Sequence, residues 1–256
     1  MIKRWKRQQP VVQIENLEEE VITLALKKKK LNSKDASRKL VTAIDPKSPI
    51  SEQYRTIRTN IQYSSVDQEM KAIMVTSSGP AEGKSTTAAN LAVTFAQLGK
   101  KVLLVDADLR KPTVHHTFGM NNLFGFTTVL TKQKTLEKTV LETREQDLYI
   151  LTSGPIPPNP AELLSSKSME QFMEDAKSQF EYIIFDTPPL LAVADPQILA
   201  NQVDGSIMVV FSEKTVIDQA KKAKELLEHA QSKLLGVVLN HKEVQNGDYY
   251  YYYGSK

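Results

Sequence analysis

Six short runs of β-branched and aliphatic residues, at 72–76, 101–106, 148–151, 182–186, 206–211 and 234–240, punctuate this chain without alternating apolar and polar positions. A strand with one face in water alternates, so continuous runs such as Val102-Leu103-Leu104-Val105 predict strands buried on both faces. Helical stretches lie between them at 85–98, stopped by Gly99, at 161–179 and at 215–231, and another helix opens at Ser51 behind Pro49 and runs through Ile61. Strands and helices in this alternation predict an α/β fold, a doubly wound, mostly parallel sheet flanked by helices. The 256 residues, 41% of them hydrophobic, suffice for one such domain over about 51–240.

Several function classes drop out on composition. The chain has no cysteine, which removes disulfides, Cys-ligated zinc, iron–sulfur clusters and a thiol nucleophile. No apolar run approaches the roughly 18–20 residues of a membrane span, so the expectation is a cytoplasmic protein that is not itself integral to the membrane. Net charge is +3, but residues 1–47 hold 12 Lys and Arg against 6 Asp and Glu, so the basic excess sits in an N-terminal extension. Lys3-Arg4-Trp5-Lys6-Arg7 and Lys27 to Lys30 read either as a solvated flexible segment or as a docking site for anionic lipid or a membrane partner. A nucleic-acid-binding body is disfavoured, because its positive surface would belong to the folded domain.

The chemistry concentrates after the first strand, in Ser77-Ser78-Gly79-Pro80-Ala81-Glu82-Gly83-Lys84-Ser85-Thr86. Strand, small-residue loop, Gly-Lys-Ser and helix form the setting of a P-loop: backbone N–H groups converge on a polyphosphate, Lys84 reaches the β/γ oxygens and Ser85 takes Mg²⁺. The strict pattern wants Gly at 78, where this chain has Ser78 followed by Gly79. Two more strands end in acid: Asp106 and Asp108 close the second, and Asp186 closes the run Tyr182-Ile183-Ile184-Phe185. In an open α/β sheet these carboxyl ends meet at the ligand, which predicts one Mg·nucleotide site with Asp186 as metal ligand and Asp106 as ligand or base. Asn240, at the end of the last strand, either reads adenine or caps the turn that follows. The residues after it lack the Asn-Lys-x-Asp of GTPases, so ATP is expected over GTP.

Together these residues resemble the bacterial tyrosine kinases that regulate capsule and exopolysaccharide synthesis, P-loop relatives of the cell-division and plasmid-partition ATPases. The loop through Thr86 resembles their Walker A motif, Val105 to Pro112 their Walker A′, and Phe185-Asp186-Thr187-Pro188-Pro189 their Walker B. Ser153 to Leu164 is similar to the family's proline-rich turn into a helix, Glu52, Arg55 and Arg58 to its E-x-x-R-x-x-R oligomerisation helix, and Tyr249, Tyr250, Tyr251, Tyr252 and Tyr253 to its terminal tyrosine cluster. Ala81 stands where members often carry Gly, and Gly79 stands where partition ATPases carry an extra lysine. The resemblance covers about 48–256 and implies three segments: a basic extension over 1–47, a P-loop kinase domain over 48–243 and a tyrosine-rich tail over 244–256. It also implies ATP with Mg²⁺, a transmembrane adaptor that activates the kinase at the inner face of the membrane, a ring-like homo-oligomer, protein tyrosine substrates and a cognate phosphatase.

The expected reaction is phosphoryl transfer from ATP to the tail tyrosines of a neighbouring subunit, with Lys84, Asp106, Asp108 and Asp186 as the catalytic set. Tyr249, the first tyrosine of the tail, reaches at most about 30 Å beyond Asn240 at ~3.3 Å per residue, enough for an adjacent site in a close-packed ring. The rival is an ATPase switch that positions a partner without phosphorylating it; it shares every Walker residue, and the tyrosine run and Gly79 weigh against it.

Overall fold

The computed structural model describes residues 40–64 and 70–242; the basic clusters near the N-terminus and the tyrosines at 249–253 lie outside the described residues. In chain order the elements are α1 (Val41–Ile44), α2 (Pro49–Tyr63), β1 (Ala72–Ser77), α3 (Lys84–Ala96), β2 (Val102–Asp106), α4 (Val114–Phe118), α5 (Phe126–Leu130) and β3 (Leu141–Glu142). They continue with β4 (Leu148–Leu151), α6 (Pro160–Leu164), α7 (Lys167–Gln179), β5 (Tyr182–Asp186), α8 (Asp195–Ala200), β6 (Gly205–Phe211), α9 (Ile217–His229) and β7 (Leu234–Asn240). All six expected strands join one seven-stranded sheet in the order β3-β4-β2-β5-β1-β6-β7. Every pairing is parallel except that of the short β3 against β4.

The continuous apolar runs have the cause expected of them. Side chains of a strand point alternately to opposite faces, and here each face has its own core. Ile73, Val75, Val102, Leu104 and Ile184 pack with α2 and α3 on one side, while Met74, Leu103, Val105, Ile183 and Phe185 pack with α5, α7 and α8 on the other. The α3 helix is nearly all buried, because Ala88, Ala89, Ala92 and Ala96 let it lie close to the sheet while α1 and α2 cover its back.

Packing extends N-terminal of residue 48, the expected start of the domain. Thr42 is fully buried, and its N–H and hydroxyl donate to Asn90 Oδ1 on α3 at 3.0 and 2.9 Å. The α2 helix starts at Pro49 rather than Ser51, since the Ser48 hydroxyl accepts from Ser51 N at 3.2 Å and makes Ser48 the cap. The single helix expected over 161–179 is two. Ser165 and Ser166 turn their hydroxyls back onto the carbonyls of Ala161 and Leu163, at 3.1 and 2.7 Å, competing with the helical ladder where it breaks.

Topology positions the site. Strand β5 inserts between β1 and β2, so the carboxyl ends of three neighbouring strands open onto one place, and the register sets Asp106 directly beside Asp186. Among the described residues no helix is long and apolar enough to cross a membrane.

Candidate active site

The loop between β1 and α3 is held from three directions. From within, Ser77 Oγ donates to Gly79 O at 2.7 Å, and Ser78 Oγ donates to the Glu82 carboxylate at 2.9 Å. From the segment after β5, Leu190 N and Leu191 N donate to the carbonyls of Ser77 and Ser78, at 2.8 and 3.3 Å. From the sheet's far edge, Asn240 Nδ2 donates to Glu82 O at 2.9 Å, and Thr215 Oγ1 donates to Glu82 Oε1 at 2.6 Å. Glu82 is therefore a buried brace of the loop. Gly79, Pro80 and Ala81 form its open rim, with Ala81 at φ 62°, which explains why glycine suits that position. Gly83 has φ 100°, and a Cβ there would lie 2.0 Å from Asn240 Nδ2, so no side chain fits. Lys84, Ser85 and Thr86 begin α3, and their N–H groups have no intrahelical partner to take them from an anion.

Against this loop lie the acids. Lys84 Nζ is 3.1 Å from Asp108 Oδ2, 3.3 Å from Asp186 Oδ1 and 3.1 Å from Ser85 Oγ. Asp106 Oδ2 accepts from Thr113 N at 2.8 Å and Val114 N at 2.9 Å, while Asp108 Oδ1 accepts from Lys111 N at 2.9 Å. One oxygen of each in-register acid, Asp106 Oδ1 and Asp186 Oδ2, is buried without a hydrogen-bond partner. Lys84, Ser85, Asp106, Asp108 and Asp186 thus lie together where the carboxyl ends of β2 and β5 meet the start of α3.

Burial sets the electrostatics. Asp106 is pushed from its ordinary 3.8 to about 7, chiefly by loss of water and next by Asp186 beside it, against the pull of two backbone N–H groups and Lys84. Asp186 is raised by burial as well, with Lys84 and Ser85 holding it down. For Lys84, burial lowers the pKa, but Asp186 and Asp108 outweigh it and the ammonium is held above its ordinary value. Three carboxylates around one lysine leave negative charge in excess, and two of their oxygens are unpartnered, so a divalent cation fits. Among the described residues no group of three or more His, Asp or Glu forms a cage of its own, so such a cation must share its shell with other oxygens. Mg²⁺ binds in this way, through one or two carboxylates and substrate phosphates.

A family model described as the NUBPL iron-transfer P-loop NTPase, of the ParA group, matches residues 69–250. Tyrosine-protein kinase YwqD of Bacillus subtilis is 58% identical over 219 residues, which are 86% of this chain and 92% of YwqD. The chain belongs to the bacterial tyrosine kinase family. Solved structures agree. The chimerical protein CapA2B2 superposes with a TM-score of 0.81 at 40% identity, covering 88% of this chain and 96% of that one. The kinase domain of Escherichia coli tyrosine kinase ETK also gives 0.81, at 27% identity over 89% of this chain and 92% of its own.

Within this bacterial tyrosine kinase fold, some expected residues stand apart from the pocket. Asn240 donates one amide hydrogen to the loop and accepts from His241 N at 2.9 Å, so only its second hydrogen remains for a base. Arg55 binds Glu52 and the carbonyl of Pro46, whereas Arg58 turns inward and donates to Thr94 O at 2.8 Å. The three do not form one free face. Three residues outside the expected set support the site. Arg110 grips buried Asp195 with both Nε and Nη2, at 2.8 and 2.9 Å, tying the loop after β2 to the start of α8, and Thr215 braces Glu82. Asp195 carried a visible signal, an acid followed by proline at a helix start; Thr215 carried none.

The raised pKa of Asp106 makes a prediction. Folded protein holds that proton more tightly than unfolded chain, so the associated stability is complete below 3.8 and lost as pH climbs to about 7. Asp106→Asn removes the buried charge. In nucleotide-free protein its Tm should exceed the parent's by roughly 2–8 °C at pH 8, with the gap closing toward pH 4, in calorimetric scans. A variant less stable than the parent at pH 8 would contradict this.

Proposed function

We propose that this protein is an ATP-dependent protein-tyrosine kinase that phosphorylates the tyrosines at 249–253 of a neighbouring copy and so regulates capsular or exopolysaccharide synthesis. The observation that carries the reading is the state of Asp106. One oxygen is fixed by two backbone N–H groups and the other is buried, unpartnered and on a carboxylate whose pKa is near neutrality. That is what a general base for a phenolic hydroxyl requires.

The tyrosine oxygen attacks the γ-phosphorus, the bond to the bridging oxygen breaks with its electron pair leaving on ADP, and the tyrosine proton passes to Asp106 Oδ1 and then to water. Lys84 leaves Asp108 for the β/γ oxygens, joined there by the N–H groups at the start of α3, and the charge building on the phosphoryl is stabilised in place. Ser85 Oγ and Asp186 Oδ2, with Asp106 as the third candidate, would hold Mg²⁺, which supplies charge neutralisation of the phosphates when bound. Asp108 keeps Lys84 ionised between turnovers.

The proposal extends to a wider setting: a transmembrane adaptor that recruits and activates the kinase at the inner face of the membrane, a homo-oligomeric ring that presents tails in trans, and a phosphatase that reverses the reaction. Each phosphotyrosine adds about −1.5 to −2 charge, so several on one tail loosen the ring.

Intact-mass spectrometry on purified protein with Mg·ATP, with and without an adaptor's cytoplasmic segment, should show additions of about 80 Da on the tail. Lys84→Met should cut them at least ~100-fold. Sustained ATP hydrolysis without any phosphotyrosine would support the ATPase switch instead. For the ring, Glu52→Ala with Arg55→Ala should lower the assembly's mass in light scattering at nearly unchanged Tm, because an exposed pair contributes only about 0–1 kcal/mol. An unchanged mass would remove those residues from the interface.

A further inference from the structure

Two loops beyond the carboxyl end of β4 expose apolar side chains that the catalytic pocket does not use. Leu123 is 70% exposed, Ile156 64% and Phe124 46%. Hydrogen bonds tie the two loops together. Asn122 Nδ2 donates to Ser153 Oγ at 3.0 Å and Gly154 O at 3.1 Å, and its Oδ1 accepts from Gly154 N at 2.8 Å. Thr152 Oγ1 donates to Phe124 O at 3.0 Å, and Thr127 Oγ1 donates to Pro155 O at 2.8 Å. The backbones touch so closely that a Cβ on Gly125 would meet Thr152 O at 2.1 Å. Pro155 and Pro158 extend the surface, and Lys134 Nζ lies 3.8 Å from the centre of the Phe124 ring.

This surface lies beside the transfer site. Leu151 of β4 pairs with Val105 of β2, so Thr152 follows in step with Asp106, one strand spacing or about 4.8 Å away. Two or three residues of extended chain, about 7–10 Å, bridge the pocket and the loops. Leu123, Phe124 and Ile156 are thus the exposed apolar side chains on the two loops that adjoin the β4 neighbour of Asp106.

We infer that the Leu123, Phe124 and Ile156 surface is a docking shelf for the tyrosine-rich tail of a second copy, holding flanking rings while one tyrosine occupies the pocket. The inference rests on the tyrosine-kinase reading above and adds the residues that select the substrate. The chain leaves the described fold at Lys242, at the same end of the sheet as the shelf but on the opposite edge, five strand spacings or about 24 Å from β4. The phosphate loop on β1 lies between that exit and the shelf, which favours a tail arriving from a second copy over the chain's own. Chemistry matches too. Five consecutive tyrosines offer rings for leucine, isoleucine and proline, and Asp248 offers a carboxylate for Lys134. A consecutive run also lets the tail slide, so that each tyrosine in turn meets Asp106 while others stay docked.

The test uses dye-labelled peptides of residues 244–256 titrated with Mg·ADP-loaded protein and read by fluorescence anisotropy, alongside phosphorylation with Mg·ATP. Replacing four of the five tyrosines by Phe should leave Kd within about twofold, and replacing them by Ser should weaken it about tenfold. Leu123→Asp with Ile156→Asp should abolish that difference while leaving Mg·ADP affinity unchanged, since both side chains are exposed. Equal affinities for the Phe and Ser peptides, or a discrimination that survives in the variant, would overturn the shelf even if the tail is phosphorylated. A change of assembly mass in the variant with peptide binding intact would assign the surface to a subunit contact and overturn it too. Peptide that binds with the predicted pattern yet is never phosphorylated, even with adaptor present, would leave the shelf standing and sink the kinase reading.

Discussion

Asp106 and Asp186 stand side by side because β2 and β5 pair in parallel register, and the rest of the site answers that one juxtaposition. Two dry carboxylates repel, and burying each costs several kcal/mol unless something compensates. Three compensations are visible. Lys84 bridges Asp186 to Asp108, two backbone N–H groups bind one oxygen of Asp106, and the Asp106 pKa rises to about 7. What remains uncompensated is one buried oxygen on each acid, Asp106 Oδ1 and Asp186 Oδ2, without a hydrogen-bond partner.

Such a cluster works only if its geometry is kept while its partners change. The phosphate loop is held by bonds from β1, from the segment after β5, from Thr215 and from Asn240, so Lys84 can exchange Asp108 for a phosphate without the loop collapsing. The Arg110 grip on Asp195 fixes the other wall. Preorganisation of this kind is where charge-stabilising catalysis gets its rate.

Much of this was legible in the sequence, for physical reasons. Strands covered on both faces must be continuously apolar, so β1, β2, β5, β6 and β7 announced themselves, and each acid terminating such a run was bound for the sheet's carboxyl edge. Elements of two to six residues, such as β3, α4, α5 and α8, are too short for any period to show. The break between α6 and α7 turned on two serine hydroxyls rather than on hydrophobic pattern. At the site, Lys84 and the three acids followed from motif and topology. The brace from Thr215 and the inward turn of Arg58 onto Thr94 depended on contacts between elements far apart in the chain. Asn240 illustrates the boundary: its place at a strand end was readable, but its bond to the phosphate loop was not.

If Lys84 is an internal counter-ion, nucleotide displaces it from the carboxylates. A crystal structure of the protein with Mg·ADP bound tests it most directly. Lys84 Nζ should be drawn away from Asp108 onto phosphate oxygen, with metal at Ser85 Oγ and beside the free oxygen of Asp186. Lys84 still seated on Asp108 and Asp186, with nucleotide bound elsewhere, would contradict it.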